Sequence, residues 1–168
     1  MTTLEALAPR LDAAIAAILA LQPRVTAAGP WEMAELYGTE AEASWGPPEV
    51  LAHIEEMLPF WLGEAERILD GSSAAPVPFG RVASDTVRIG IIGRDRTLPL
   101  RELFARVAAD GSRMSSWMRG LEPAAVERVG LHPRLGEMTV GQLLDRFVVT
   151  HLEEHVAQLA EILTGRGA

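Results

Sequence analysis

Apolar residues recur at three- and four-residue steps through four long stretches of this 168-residue chain, a period that admits little besides helices packed side by side. In the first stretch Leu4, Leu7, Leu11, Ile15, Ile18, Leu19 and Val25 mark one face. Thr2 or Thr3 is expected to cap it, Pro23 to bend or end it, and Gly29-Pro30 to stop it. Ser44-Trp45-Gly46-Pro47-Pro48-Glu49 opens a second helix, because proline in a first turn gives up an N–H that has no helical partner. Its inward set includes Val50, Ile54, Met57, Trp61 and Ile68; Pro59 is expected to kink it and Asp70-Gly71-Ser72-Ser73 to end it. A third helix spans Leu98 to about Trp117, with Gly111 as its weak point. Thr139 caps a fourth, which carries Leu143, Leu144, Phe147, Val148, Leu152, Val156 and Leu159 inward and closes at Gly165.

The segments between are less regular. Residues 71–96 are rich in Gly, Ser, Pro and Arg and read as a long loop, with a short extended piece at Val87, Ile89, Ile91 and Ile92. Pro123 starts a helical turn reaching Val129, and His132-Pro133-Arg134-Leu135-Gly136 forms a turn. No repeat or composition break divides the chain. The expectation is one all-α domain over residues 1–168, a four-helix bundle with a long crossover loop between helices 2 and 3.

Composition removes several chemistries. There is no Cys, which excludes a disulfide scaffold, thiolate metal sites and a cysteine nucleophile. All 15 basic residues are Arg, so neither a lysine Schiff base nor a P-loop lysine is available. The net charge of −8 argues against nucleic-acid binding. The start lacks a basic leader, and the longest uncharged apolar run, Ala13 to Leu21, is nine residues, too short for a membrane span. A cytoplasmic protein without membrane or nucleic-acid partners is expected.

The four His, at positions 53, 132, 151 and 155, limit any imidazole site. His151 and His155 are four apart, so they stack on one helical face, in line with Leu144, Phe147 and Val148. His53 lies on the apolar side of the second helix beside Val50, Ile54 and Met57. Two His from one helix and one from another are the ingredients of a three-histidine metal site with open positions. The plainer reading is that each is a hydrogen-bonded core residue. It leaves several buried nitrogens in need of partners if the three rings meet.

The block Trp45-Gly46-Pro47-Pro48-Glu49-Val50-Leu51-Ala52-His53 resembles the W-x-P-x-E-[VI]-L-x-H motif of the DinB-like (DinB/YfiT) metalloprotein superfamily. His132-Pro133-Arg134-Leu135-Gly136, the Thr139-Val140-Gly141-Gln142-Leu143-Leu144 run and His151-Leu152-Glu153-Glu154-His155-Val156-Ala157-Gln158-Leu159 are similar to that family's C-terminal pattern. The resemblance implies a four-helix bundle, often a homodimer, holding a divalent metal (zinc, nickel, iron or manganese) on His53, His151 and His155. It also implies a small-molecule substrate. Characterised relatives include mycothiol-dependent maleylpyruvate isomerases and bacillithiol S-transferases, so a transferase using a low-molecular-weight thiol is one expectation. A hydrolase is another, and a non-catalytic metal-binding or small-molecule-binding bundle is the alternative.

Secondary candidates surround these positions. One of Glu55, Glu56, Glu153 or Glu154 can orient a ligand imidazole, or all four can be solvated. Gln158 lies one turn past His155, where it can line the same cavity or bond another helix. His132 is a substrate contact, a fourth ligand or a brace for its turn. Arg81, Arg88, Arg94 and Arg96 cluster in an acidic chain. Arg81 and Arg88 are the candidates for binding the carboxylates of a thiol cofactor or acidic substrate, against the plainer reading of pairing with Asp and Glu.

Overall fold

The computed structural model describes residues 4–38, 41–71 and 75–167. The expected caps at Thr2 or Thr3 and the Ser72-Ser73 stop lie outside the described residues.

Helix α1 spans Leu4–Ala20 and α2 Gln22–Ala27, with Pro23 in the first turn of α2. Proline offers no N–H to the carbonyl four residues back, so the first apolar stretch breaks at Leu21 and restarts. Helix α3, Pro47–Asp70, opens on the two prolines and runs unbroken through Pro59. Its start is held by Glu49, whose fully buried carboxylate accepts from Gly46 N (3.1 Å) and Ala34 N (3.0 Å) and pairs with Arg96 Nη1 (3.1 Å). One carboxylate thereby ties the linker before α3 to the far end of the crossover.

That crossover is more ordered than expected. After strand β1, Val77–Pro78, comes a further helix, α4, Thr86–Asp95, where the sequence pattern suggests an extended piece. The alternating Val87, Ile89 and Ile91 point to a strand, but the buried pair is Ile89 and Ile92, a helical spacing, and Val87 is 66% exposed. Asp85 decides the matter locally: its side chain accepts from Arg88 N (2.9 Å), the bond of a helix N-cap.

Helix α5 spans Leu100–Arg119. A 3-10 turn at Pro123–Glu127 leads into strands β2, Val129–His132, and β3, Gly136–Thr139, which pair antiparallel, while β1 joins β2 in parallel. The last helix is composite: α6 Val140–Leu143, a π-helical stretch Leu144–Thr150, and α7 His151–Gly165. Thr139 caps it as expected, accepting from Gln142 N (3.1 Å).

Helix α1 packs on α5 and on the last helix, and α3 packs on the same two, so α1 and α3 face each other across the bundle. Gly111 is the close-approach point of α5 rather than a mere weak spot: a Cβ there would lie 2.8 Å from Ile15 of α1. Leu11, Ile18, Leu51, Ile54, Val107, Leu144 and Leu159 fill the centre with no exposed surface.

Candidate metal centre

The three candidate histidines converge. His53 arrives from the second turn of α3, and His151 and His155 from successive turns of α7. Nε2 of His53 lies 3.0 Å from Nε2 of His151, which lies 3.2 Å from Nε2 of His155. One nitrogen from each ring lies within 4.8 Å of the other two. His53 and His155 are buried; His151 retains 29% side-chain exposure and forms the solvent-facing edge.

The hydrogen bonds behind the rings fix their protons. Gln158 donates its Nε2 to the carbonyl of Glu42 (2.8 Å), which turns its Oε1 toward Nδ1 of His155 (2.9 Å). His155 therefore carries its proton on Nδ1 and presents a lone pair at Nε2. His151 is set the same way by Glu154, whose carboxylate lies 3.2 Å from Nδ1. Two lone pairs thus face each other across 3.2 Å with no proton between them. With these tautomers the contact calls for a cation, a metal ion or a proton, between the two nitrogens. The spacing suits one: nitrogens each about 2.1 Å from an ion sit about 3.0–3.4 Å apart at ordinary coordination angles.

His53 has a mixed surround. Its Nδ1 is 3.4 Å from Nη2 of Arg88 and 3.9 Å from Oε2 of Glu56. Arg88, the nearer group, can only donate, so that contact makes Nδ1 an acceptor. Glu56, at 3.9 Å and paired with Arg81, is beyond hydrogen-bond reach and would have to close on the ring to leave a lone pair at Nε2. Trp45 packs edge-on against the ring at 5.7 Å and, only 2% exposed, seals it from water. Burial holds His53 far below the usual imidazole range, helped by His155, Arg88 and His151. Burial together with His151 takes His155 down to about 3, with Gln158 opposing. Both rings are neutral at pH 7, the state a metal ligand requires.

The other candidates separate cleanly. Glu153 turns away to Arg10, and Glu55 pairs with Arg106, leaving Glu154 and Glu56 as the carboxylates beside the cluster. Four arginines of the crossover find acidic partners: Arg81 with Glu56, Arg88 with Glu42, Arg94 with Asp95, Arg96 with Glu49. Arg81 also lies 3.6 Å over the Phe60 ring. Arg88 is almost fully buried and lines a cavity of about 480 Å³ with Trp45, Glu42, Leu36 and Ile89. A larger cavity, about 650 Å³, lies between the start of α1 and the end of α5; none of the three histidines lines either cavity. His132 is not part of the metal cluster: its Nδ1 accepts from Arg134 N and Leu135 N (both 3.3 Å), bracing its hairpin turn.

Sequence reasoning missed Glu42, whose carbonyl orients Gln158 from a 3-10 turn more than a hundred residues away. No local pattern announces such a contact. The fold and the cluster define a mainly helical four-helix-bundle protein with a histidine site able to hold a metal. The sequence pattern of the DinB superfamily matches residues 4–159, and the chain belongs to that superfamily. Its structure is similar to that of YfiT from Bacillus subtilis, described as a probable metal-dependent hydrolase with an unusual four-helix bundle topology. The two share 17% sequence identity at a TM-score of 0.63 over 94% of this chain and 87% of that one. None of the curated proteins matches this chain. Among the described residues no helix is long and apolar enough to cross a membrane.

Proposed function

We propose that His53, His151 and His155 hold one divalent metal ion through their Nε2 atoms, and that this centre serves hydrolysis of a small molecule or transfer of a low-molecular-weight thiol to one. The observation carrying the reading is the convergence of the three Nε2 atoms, those of His53 and His155 lying 3.0 and 3.2 Å from that of His151, with Gln158 and Glu154 behind Nδ1 of His155 and His151. An ion held there supplies Lewis-acid chemistry, the means by which water or a thiol becomes a nucleophile at neutral pH. The chain's residues do the rest. Glu154 and Gln158 keep the imidazoles oriented, Trp45 excludes water behind His53, and His151 borders solvent, where a substrate enters. With no Cys in the chain, the thiol of a transfer reaction comes from solution.

Arg88 and Arg81 are the proposed contacts for an acidic group of substrate or thiol cofactor. Arg88 supports this best, being buried against a cavity with its charge met by the half-exposed Glu42, which an incoming carboxylate can replace.

The test begins with metal analysis of protein purified without a histidine tag and reconstituted with zinc, nickel, iron or manganese. The loaded protein is then offered esters, amides and alkyl electrophiles, with and without bacterial thiols. Turnover that disappears in His53→Ala supports the reading. Stoichiometric metal without turnover on any of them would place the protein among non-catalytic metal-binding bundles.

A further inference from the structure

Two of the three histidines ride on the last helix, so their meeting with His53 depends on how that helix is wound. Its two halves bury different residues: Val140, Leu143 and Leu144, the last opening the π-helical stretch, and Leu152, His155 and Leu159 after it. On one uninterrupted α-helix, at about 100° per residue, these two sets would point roughly 100° apart. The wider π winding takes up one extra residue, a turn of about 100°, and brings both sets to the core side. Wound as α throughout, the helix would have to expose either the first set or His155.

One contact reports the π register directly. Asp145 and Thr150 are five apart and would sit about 140° from each other on an α-helix. Here Thr150 Oγ1 lies 3.4 Å from Asp145 Oδ1. Arg10, from the facing side of α1, reaches both: Nη1 to Asp145 Oδ1 at 2.9 Å and Nη2 to Thr150 Oγ1 at 3.3 Å. The same guanidinium forks onto Glu153 through Nε (2.9 Å) and Nη2 (2.7 Å). A single planar group thus spans the start of the π stretch, its end and the first turn of α7, two residues past His151. With 40% of its side chain exposed, such a pair contributes little as a bare surface ion pair. What it provides is geometry, since three partners at fixed directions suit only one winding.

We propose that Arg10 is a positioning residue whose guanidinium locks residues 144–150 in the π register and so sets the rotation at which His151 and His155 meet His53. Its consequence for metal rests on the three-histidine reading; its effect on the helix does not.

The probe is cobalt(II), titrated into metal-free wild-type, Arg10→Gln and Arg10→Lys protein, with visible absorption reporting the coordination and amide hydrogen exchange across residues 144–156 reporting the winding. Arg10→Gln is expected to weaken cobalt binding about tenfold or more, to change the absorption bands and to speed exchange in that stretch. Arg10→Lys, which keeps the charge without the fork, is expected to restore part of the affinity. Unchanged affinity, spectrum and exchange in Arg10→Gln overturns the inference. If Arg10→Gln does not fold, Thr150→Val removes one contact at constant shape and is expected to shift the same readouts by less; no shift overturns the inference equally. Should the wild type take up no cobalt, the metal reading fails by itself, and the exchange comparison alone decides whether Arg10 holds the winding.

Discussion

Gln158 and His155 form a directed pair: the amide nitrogen is spent on the Glu42 carbonyl at 2.8 Å, so only the amide oxygen can meet Nδ1 of His155, at 2.9 Å. The ring's proton is thereby committed to the side away from the other histidines. Gln158→Leu removes the acceptor at nearly constant volume and lets the ring change tautomer. Metal affinity, measured by competition with a chelator, is expected to fall about 10–100-fold, and by less in Gln158→Glu, which keeps an acceptor for Nδ1 but loses the donor to the Glu42 carbonyl. Unaltered affinity in Gln158→Leu would remove Gln158 from the site.

Metal should also be visible as stability. A ligand that binds only the folded state at a hundred times its Kd stabilises by about 2.7 kcal/mol. For a chain of this size that corresponds to roughly 5–10 °C in Tm. Adding zinc or nickel to the metal-free protein is expected to raise Tm by that order. The rise should vanish in His53→Ala and in His151→Ala, and a chelator should reverse it. An equal rise in the variants would mean that the metal binds elsewhere.

The helices and the histidine cluster are legible in the sequence because both follow the helical period. His151 and His155 share a face by spacing alone, and the apolar neighbours of His53 turn it inward. The residues that set the rings' protons are only half legible. Gln158 and Glu154 each stand three residues after the histidine they serve, a local signal, but the Glu42 carbonyl that orients Gln158 comes from a distant turn. Helix α4 departs from its sequence pattern because β-branched residues alternate at Val87, Ile89 and Ile91, and the Asp85 cap outweighs them. Strands β2 and β3, four residues each, are too short to show a period of two. The π stretch leaves a faint trace in the sequence: Val140, Leu143 and Leu144 are out of phase with Leu152, His155 and Leu159 by about one residue.

His132 gives the metal-free protein a pH dependence of its own. It is buried, stacked on Phe147 at 5.3 Å, and accepts two backbone N–H bonds at Nδ1. Burial, with Arg146 and Arg134 nearby, lowers its pKa below the usual imidazole value. The folded protein thus resists a proton that the unfolded chain takes up near pH 6.5. The stability this contributes is present above that pH and declines as pH falls through it. Urea unfolding at pH 7.5 and 5.5 is expected to show a smaller difference in His132→Gln than in the wild type. An identical difference in the two proteins would mean that His132 protonates freely in the fold.

Gly130 tests whether the hairpin is packed as tightly as its position under α3 requires. A Cβ there would lie 2.6 Å from Phe79 Cδ1, 2.7 Å from Ile68 Cδ1 and 2.9 Å from Ile68 Cγ1, all within buried side chains. Such distances oblige Ile68 of α3 and Phe79, just past β1, to move at once, and overpacking of this kind costs about 1–3 kcal/mol. Against this, alanine restricts the unfolded chain and returns about 0.4–1 kcal/mol. The clash outweighs that gain, so Gly130→Ala is expected to lower stability by about 1–2 kcal/mol in denaturant unfolding. The displaced strand carries His132 and leads through β3 into the Thr139 cap, but the histidine cluster hangs on α3 and α7, beyond the clamp of Arg10. Metal affinity should therefore change less than stability does. A Gly130→Ala protein as stable as the wild type would show that β2 sits farther from α3 than these distances allow.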